Sequence, residues 1–141
     1  MVTQSQRIAE LLDEMTLREK VGQMVGTPPH ADLSELWSEI RDHHVGSVHF
    51  GGTPHNTPRA KAEMANEAQR VAVEESRLGI PLFLRVMAEH GHAAIAGSTV
   101  FPQQLGLAAT RNPDLVSEVA RTAAREMRAT GVQSTSSPIG D

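Results

Sequence analysis

The segment "GIPLFLRVMAEHGH", residues 79–92, joins an apolar run directly to a polar one. Residues 80–86 are nearly all apolar, which is typical of a parallel strand that is covered on both faces. A glutamate and two histidines follow at the carboxyl end of that strand, where parallel α/β folds bind their ligands. The segment therefore predicts a buried strand that leads into a candidate site, and Met87 stands at its entrance.

Signals for strands and helices alternate on both sides of this segment. Residues 45–52, "VGSVHFGG", indicate a short strand between glycines. A Thr-Pro pair begins a helix predicted over 57–78, which is followed by Gly79. An Asn-Pro-Asp triplet begins another helix over 112–131, which ends at Gly131. Residues 132–139, "VQSTSSPI", predict a third extended segment.

Helical periodicity dominates the chain before residue 45. Apolar residues recur at helical spacing over 4–14, a capping-box pattern opens a second helix over 16–24, and an apolar stripe runs through 33–40. The whole order predicts an α/β fold with about three parallel strands joined by right-handed crossovers. Two arrangements fit: a small open α/β domain, or the first portion of an eight-stranded barrel, which needs about 250 residues.

Composition excludes several classes of partner. The 141 residues carry a net charge of -4, and their basic residues are scattered, so neither nucleic acid nor an anionic membrane is an expected partner. Without cysteine there is no disulfide or thiolate metal site. No apolar run approaches the roughly 20 residues of a membrane span. We expect a cytoplasmic protein without a cofactor, and leave secretion open.

Several motifs, taken in order, resemble glycoside hydrolase family 3, the β-glucosidase and β-xylosidase family. They are "LLDEMTLREKVGQM" at 11–24, "VGSVHFGG" at 45–52, "HGH" at 90–92, "TVFPQQLGLAATRNPDLV" at 99–116 and "SPIGD" at 137–141. The resemblance implies the N-terminal portion of a (β/α)8 TIM-type barrel, spanning 1–141. Residues 1–44 would form a helical lead-in and residues 45–141 the first βα units.

The resemblance also implies a retaining hydrolysis of terminal β-linked glucosyl or xylosyl residues, with one carboxylate as nucleophile and another carboxyl as acid/base. In the family, both groups come from segments beyond the third strand. Neither position falls within these 141 residues. We therefore expect no catalytic residue in this chain, and no hydrolysis by the chain alone.

The expected sugar-binding residues are Glu89, His90 and Asp141. The family shows Asp-x-x-His-Gly where this chain has "MAEHG", so Met87 replaces an Asp that binds sugar hydroxyls. A thioether is a weak acceptor, and losing that carboxylate costs about 2–4 kcal/mol of binding. Glu89 is either a substitute for the Asp or a solvated loop acid. His90 either shapes the loop or contacts the ligand. Asp141 matches the family's Asp after the third strand.

Other interpretations fit the same residues. The pair His90 and His92 has a spacing that suits a metal, but no third ligand is evident, and we predict none. Carbohydrate is the expected ligand once the barrel is complete. Alternatively, the chain is a non-catalytic assembly module, whose open sheet edge pairs with a second copy or another chain. It could also be a sugar-binding protein derived from the enzyme.

Overall fold

The computed structural model describes residues 3–28, 32–51 and 56–139. After two N-terminal helices, helices and strands alternate, except that two helices lie between the last two strands. In chain order the elements are α1 (Gln4–Glu14), α2 (Leu17–Gln23), β1 (Gly26–Thr27), α3 (Leu33–His43), β2 (Ser47–His49), α4 (Pro58–Arg70) with a π-helical extension (Val71–Glu75), β3 (Phe83–Val86), α5 (Gln104–Ala109), α6 (Pro113–Ala129) and β4 (Ser134–Thr135).

The four strands form one parallel sheet in the order β1-β2-β3-β4. In β2 and β3, Val48 pairs with Leu84 and His49 pairs with Arg85. The parallel α/β fold is therefore confirmed. The sheet has one strand more than the sequence predicted, because β1 lies within the stretch expected to be a helical lead-in. A strand of two residues is too short to leave a periodic pattern.

The hydrophobic core lies between one face of the sheet and the helices α3, α4 and α6. Its buried residues come from every one of these elements: Leu36, Ile40, Val45, Val48, Phe50, Met64, Ala65, Ala68, Val71, Ala72, Leu82, Leu84, Val86, Met127 and Val132. This shared core therefore joins β2 and β3 to the helices on one face of the sheet.

Helix α4 is shorter than predicted. It begins at the expected Thr57 cap, whose hydroxyl accepts from the amide of Ala60, but it changes to π-helical geometry at Val71. Its Gln69 side chain both donates to and accepts from the backbone of Leu82. This pair of hydrogen bonds fixes the entry of β3 against the helix.

The opposite face of the sheet, which we call the inner face, is only partly covered by the described residues. Phe83 on this face is 59% exposed and Met87, just beyond β3, is 53% exposed. The described helices α3, α4 and α6 pack against the other face, so within the described residues β3 is covered by helices on one face only.

Candidate functional site

The loop that follows β3 is held in place by residue Phe101. The Nδ1 atom of His90 lies 3.0 Å from the Phe101 carbonyl oxygen, and the Phe101 amide donates to the His90 carbonyl at 3.0 Å. A carbonyl only accepts, so Nδ1 carries a proton and donates. Gly91 between them has φ +77, and a Cβ there would lie 2.8 Å from the Phe101 ring. The His-Gly pair thus shapes the loop and leaves His90 Nε2 without a fixed role.

Glu89 and His90 both line a groove of about 610 Å³. The other walls come from the start of α5 and from the segment after β4: Gln103, Gln104, Leu105, Ala108 and Ile139. The Glu89 carboxylate is half-buried and makes no hydrogen bond or ion pair with any described residue. It is therefore available to a hydroxyl-bearing ligand in this groove.

Two of the positions singled out from the sequence are not among the described residues that line that groove. Met87 is exposed, so its thioether is presented to solvent beside the loop. Asp141 lies outside the described residues, although the chain reaches Ile139 at the groove wall. Of the three expected sugar-binding residues, the structure therefore places Glu89 and His90 together in the groove.

His92 packs inward and connects the loop to the end of α6. Its side chain is 1% exposed, and Nε2 lies 2.8 Å from the hydroxyl of Thr130. The hydroxyl of Thr130 also lies 2.9 Å from the carbonyl oxygen of Met127, and donating its proton there makes Nε2 of His92 the donor to the hydroxyl. Burial lowers the pKa of His92. The ring is therefore neutral, and its buried Nδ1 has no partner among the described residues.

Three further polar side chains lie near the carboxyl ends of β2 and β3, and none of them was predicted as a site residue. Lys61 is 2% exposed, donates to the Phe50 carbonyl at 2.7 Å, and has its pKa lowered to about 8 by burial. His49 and Arg85 are register partners on the inner face. The signal that could have identified these two residues is alternation with buried neighbours, Val48 in β2 and Leu84 and Val86 in β3, because side chains alternate between faces along a strand.

Two other features are absent from the described ranges. Among residues 3–28, 32–51 and 56–139, no three His, Asp or Glu side chains are grouped so that they could hold a metal ion. None of the helices in these ranges is long and apolar enough to cross a membrane.

Comparison with known proteins shows a match over most of the chain. The sequence model of the glycosyl hydrolase family 3 N terminal domain matches residues 16–141. A periplasmic β-glucosidase/β-xylosidase of Dickeya chrysanthemi is 33% identical, and the match covers 97% of this chain and 23% of that protein.

Solved structures show the same relationship. The exo-1,3/1,4-β-glucanase of a Pseudoalteromonas species superposes with a TM-score of 0.76 at 28% identity, covering 91% of this chain and 17% of that one. A β-glucosidase involved in saponin metabolism, from intestinal bacteria, superposes with a TM-score of 0.67 at 40% identity, covering 94% and 16%. The chain therefore spans less than a quarter of the length of each of these proteins.

Proposed function

Because this chain belongs to glycoside hydrolase family 3, we propose that it forms the opening part of a β-glycosidase barrel and supplies one wall of the sugar-binding site. On this proposal the ligand is a terminal β-linked glucosyl or xylosyl residue. The observation that carries it is the groove beside Glu89 and His90, which lies at the carboxyl ends of parallel strands. Ligands bind at that end in parallel α/β folds.

The roles in this wall differ between residues. Glu89 accepts hydrogen bonds from sugar hydroxyls, because its half-buried carboxylate has no partner among the described residues. His90 holds the loop through Phe101 and offers Nε2 to the sugar. Met87 supplies apolar contact only, because a thioether is a weak acceptor. Asp141 is proposed as a further hydroxyl ligand, by its match to the family motif.

The chain alone is proposed to be inactive. A retaining glycosidase needs two carboxyl groups about 5–5.5 Å apart across the scissile bond. Glu89 is the only acidic side chain among the described residues that line the groove, so no described carboxyl group faces it there. Hydrolysis therefore requires carboxyl groups from outside the residues that the structure describes.

Titration of the ¹⁵N-labelled chain with methyl β-D-glucoside and methyl β-D-xyloside tests the sugar-binding role. We expect weak, saturable shifts at Glu89, His90 and Gln104, with a millimolar dissociation constant. Glu89→Gln should weaken binding, and Glu118→Gln, a matched change of an exposed acid on α6, should not. Shifts confined to residues far from the groove, or equal binding by both variants, would contradict the proposal.

A second function, that of an assembly module, is favoured by a different observation. A groove of about 710 Å³ runs between α5, α6 and β4, and its walls include Leu107, Val119, Ala123 and Met127. The neighbouring strand β4 pairs with β3, and no other described strand lies beside it. A second copy or another chain could add βα units there. Light scattering after size exclusion tests this, since a monomer at all concentrations would contradict self-association.

The location of the protein is also proposed rather than observed. Two relatives are named periplasmic, the Dickeya protein and a β-glucosidase of Salmonella typhimurium that is 33% identical. These names favour export over the cytoplasmic location expected from composition. Fractionation of the native host with an antibody to this chain distinguishes the two, by whether the protein appears in the periplasmic fraction.

A further inference from the structure

Two nitrogen atoms on the inner face of the sheet are buried and have no hydrogen-bond partner among the described residues. They are Nε2 of His49, at the end of β2, and Nε of Arg85, in β3. The two residues are register partners on adjacent parallel strands, so their side chains lie next to each other. Their chain neighbours Val48 and Leu84 are fully buried on the core face, which places both nitrogens on the inner face.

Both atoms are hydrogen-bond donors. The amide of Gly51 donates to His49 Nδ1 at 3.3 Å, so Nδ1 is the acceptor and the neutral ring carries its proton on Nε2. Burial, with a smaller effect from the charge of Arg85, lowers the pKa of His49 and keeps the ring neutral. A guanidinium nitrogen can only donate. The inner face therefore contains two buried donors, one of them on a charged group, that lack an acceptor within the described part of the chain.

The described residues around these donors do not supply that acceptor. Met87 lies on the same face, two residues beyond Arg85, and is uncharged. Glu89 is close enough to favour the protonated form of His49, yet it makes no ion pair with Arg85. The Arg85 guanidinium extends across the sheet towards β1, because a Cβ atom added to Gly26 would lie 3.2 Å from Nη2 of Arg85. The same Cβ atom would lie 2.6 Å from Oγ of Ser47. No carboxylate of a described residue meets it there.

We propose that this pair of donors selects an acidic sugar, a β-linked uronic acid whose carboxylate is bound by Arg85 and His49. The inference rests on the proposed function, since it assumes that the inner face meets the sugar. A carboxylate accepts from two N–H groups at once and neutralises the guanidinium, and such charge-assisted bonds are about twice as strong as neutral ones. A neutral hexose leaves the charge of Arg85 unmatched.

The test compares methyl β-D-glucuronide with methyl β-D-glucoside, at constant ionic strength, on the ¹⁵N-labelled chain. We expect the glucuronide to bind at least about tenfold more tightly, from the strength of a charge-assisted pair. Arg85→Gln should remove the difference, and Arg125→Gln, which changes an exposed arginine on α6, should preserve it. Arg85→Lys keeps the charge without the paired donors and should retain part of the preference.

Two further arms separate recognition of the uronic acid from general attraction of anions. Met87→Asp adds a carboxylate on the same face and should reduce glucuronide binding several-fold while the protein stays folded. Inorganic phosphate and acetate serve as sugar-free anions. Equal affinity for the two glycosides, a preference that survives Arg85→Gln, or phosphate binding as tight as the glucuronide would each overturn the inference. If the glucoside still shifts His90 in that case, the proposed sugar-binding function stands without it.

Discussion

Replacing Thr130 by Val should destabilise the protein by about 2 kcal/mol, because it leaves His92 Nε2 as a buried donor without a partner. Both residues are nearly inaccessible, at 2% and 1% exposed, and the bond between them is 2.8 Å long. A buried donor that loses its acceptor costs about 1–3 kcal/mol. Valine has nearly the shape of threonine, so the change in packing is small beside that cost.

Urea denaturation followed by circular dichroism measures this loss. For a slope of about 1–3 kcal/mol per molar, the midpoint should fall by about 1 M with the slope unchanged. Thr122→Val is the matched control: Thr122 lies on α6, is half-buried, and has a side chain without a hydrogen bond to described residues. It should shift the free energy of unfolding by about 0.5 kcal/mol or less.

A double-mutant cycle separates the hydrogen bond from packing. His92→Phe with Thr130→Val removes both partners, which costs less than the sum of the single changes if the bond is the cause. We expect a coupling free energy of about 1–2 kcal/mol. A Thr130→Val protein as stable as the Thr122→Val control, or strictly additive single changes, would refute this account of how the loop after β3 is held.

Three other predictions concern titratable groups in buried positions. Burial lowers the pKa of His92 below the 6.5 of the unfolded chain, so its contribution to stability is complete above pH 6.5. The denaturation midpoint should therefore decline as the pH falls below 6.5. His92→Gln should make this decline smaller. Burial lowers the pKa of Lys61 from 10.5 to about 8. The free energy of unfolding should therefore rise by about 3 kcal/mol between pH 8 and pH 10.5. The Lys61→Met protein should not show this rise. Arg77 donates at 2.6 and 2.7 Å to the carboxylate of Glu19, whose side chain is 5% exposed. Arg77→Gln should therefore lower the denaturation midpoint. The matched control is Arg59→Gln, which changes an exposed arginine and should leave the midpoint unchanged.

The alternation of helices and strands was predictable because its signals are local. The caps at Thr57 and Asn112 accept from backbone amides as their residue types predict. The apolar stripe of α3 buries Leu36 and Ile40, as its spacing predicts. Parallel pairing then follows from the order of the elements. Two short elements were not predicted: the strand β1, which has two residues, and the helix α5, which has six.

The candidate site was predictable only in its position. The strand-end rule located Glu89 and His90, but the contact between His90 and Phe101 joins residues 11 apart across an irregular loop, which no periodicity announces. The partner of His92 is 38 residues away at the end of α6. Such contacts depend on how the elements pack, so the sequence suggested a site and the packing defined which ring faces inward.

The central claim is that this chain supplies a sugar-binding wall of a family 3 barrel without the pair of reactive carboxyl groups. Hydrolysis of p-nitrophenyl β-D-glucoside, p-nitrophenyl β-D-xyloside and p-nitrophenyl β-D-glucuronide by the purified chain at high concentration tests this most directly. The account predicts release of p-nitrophenol at the rate of the buffer alone. Turnover clearly above that rate, abolished by Glu89→Gln, would contradict it, because Glu89 would then be half of a working catalytic pair.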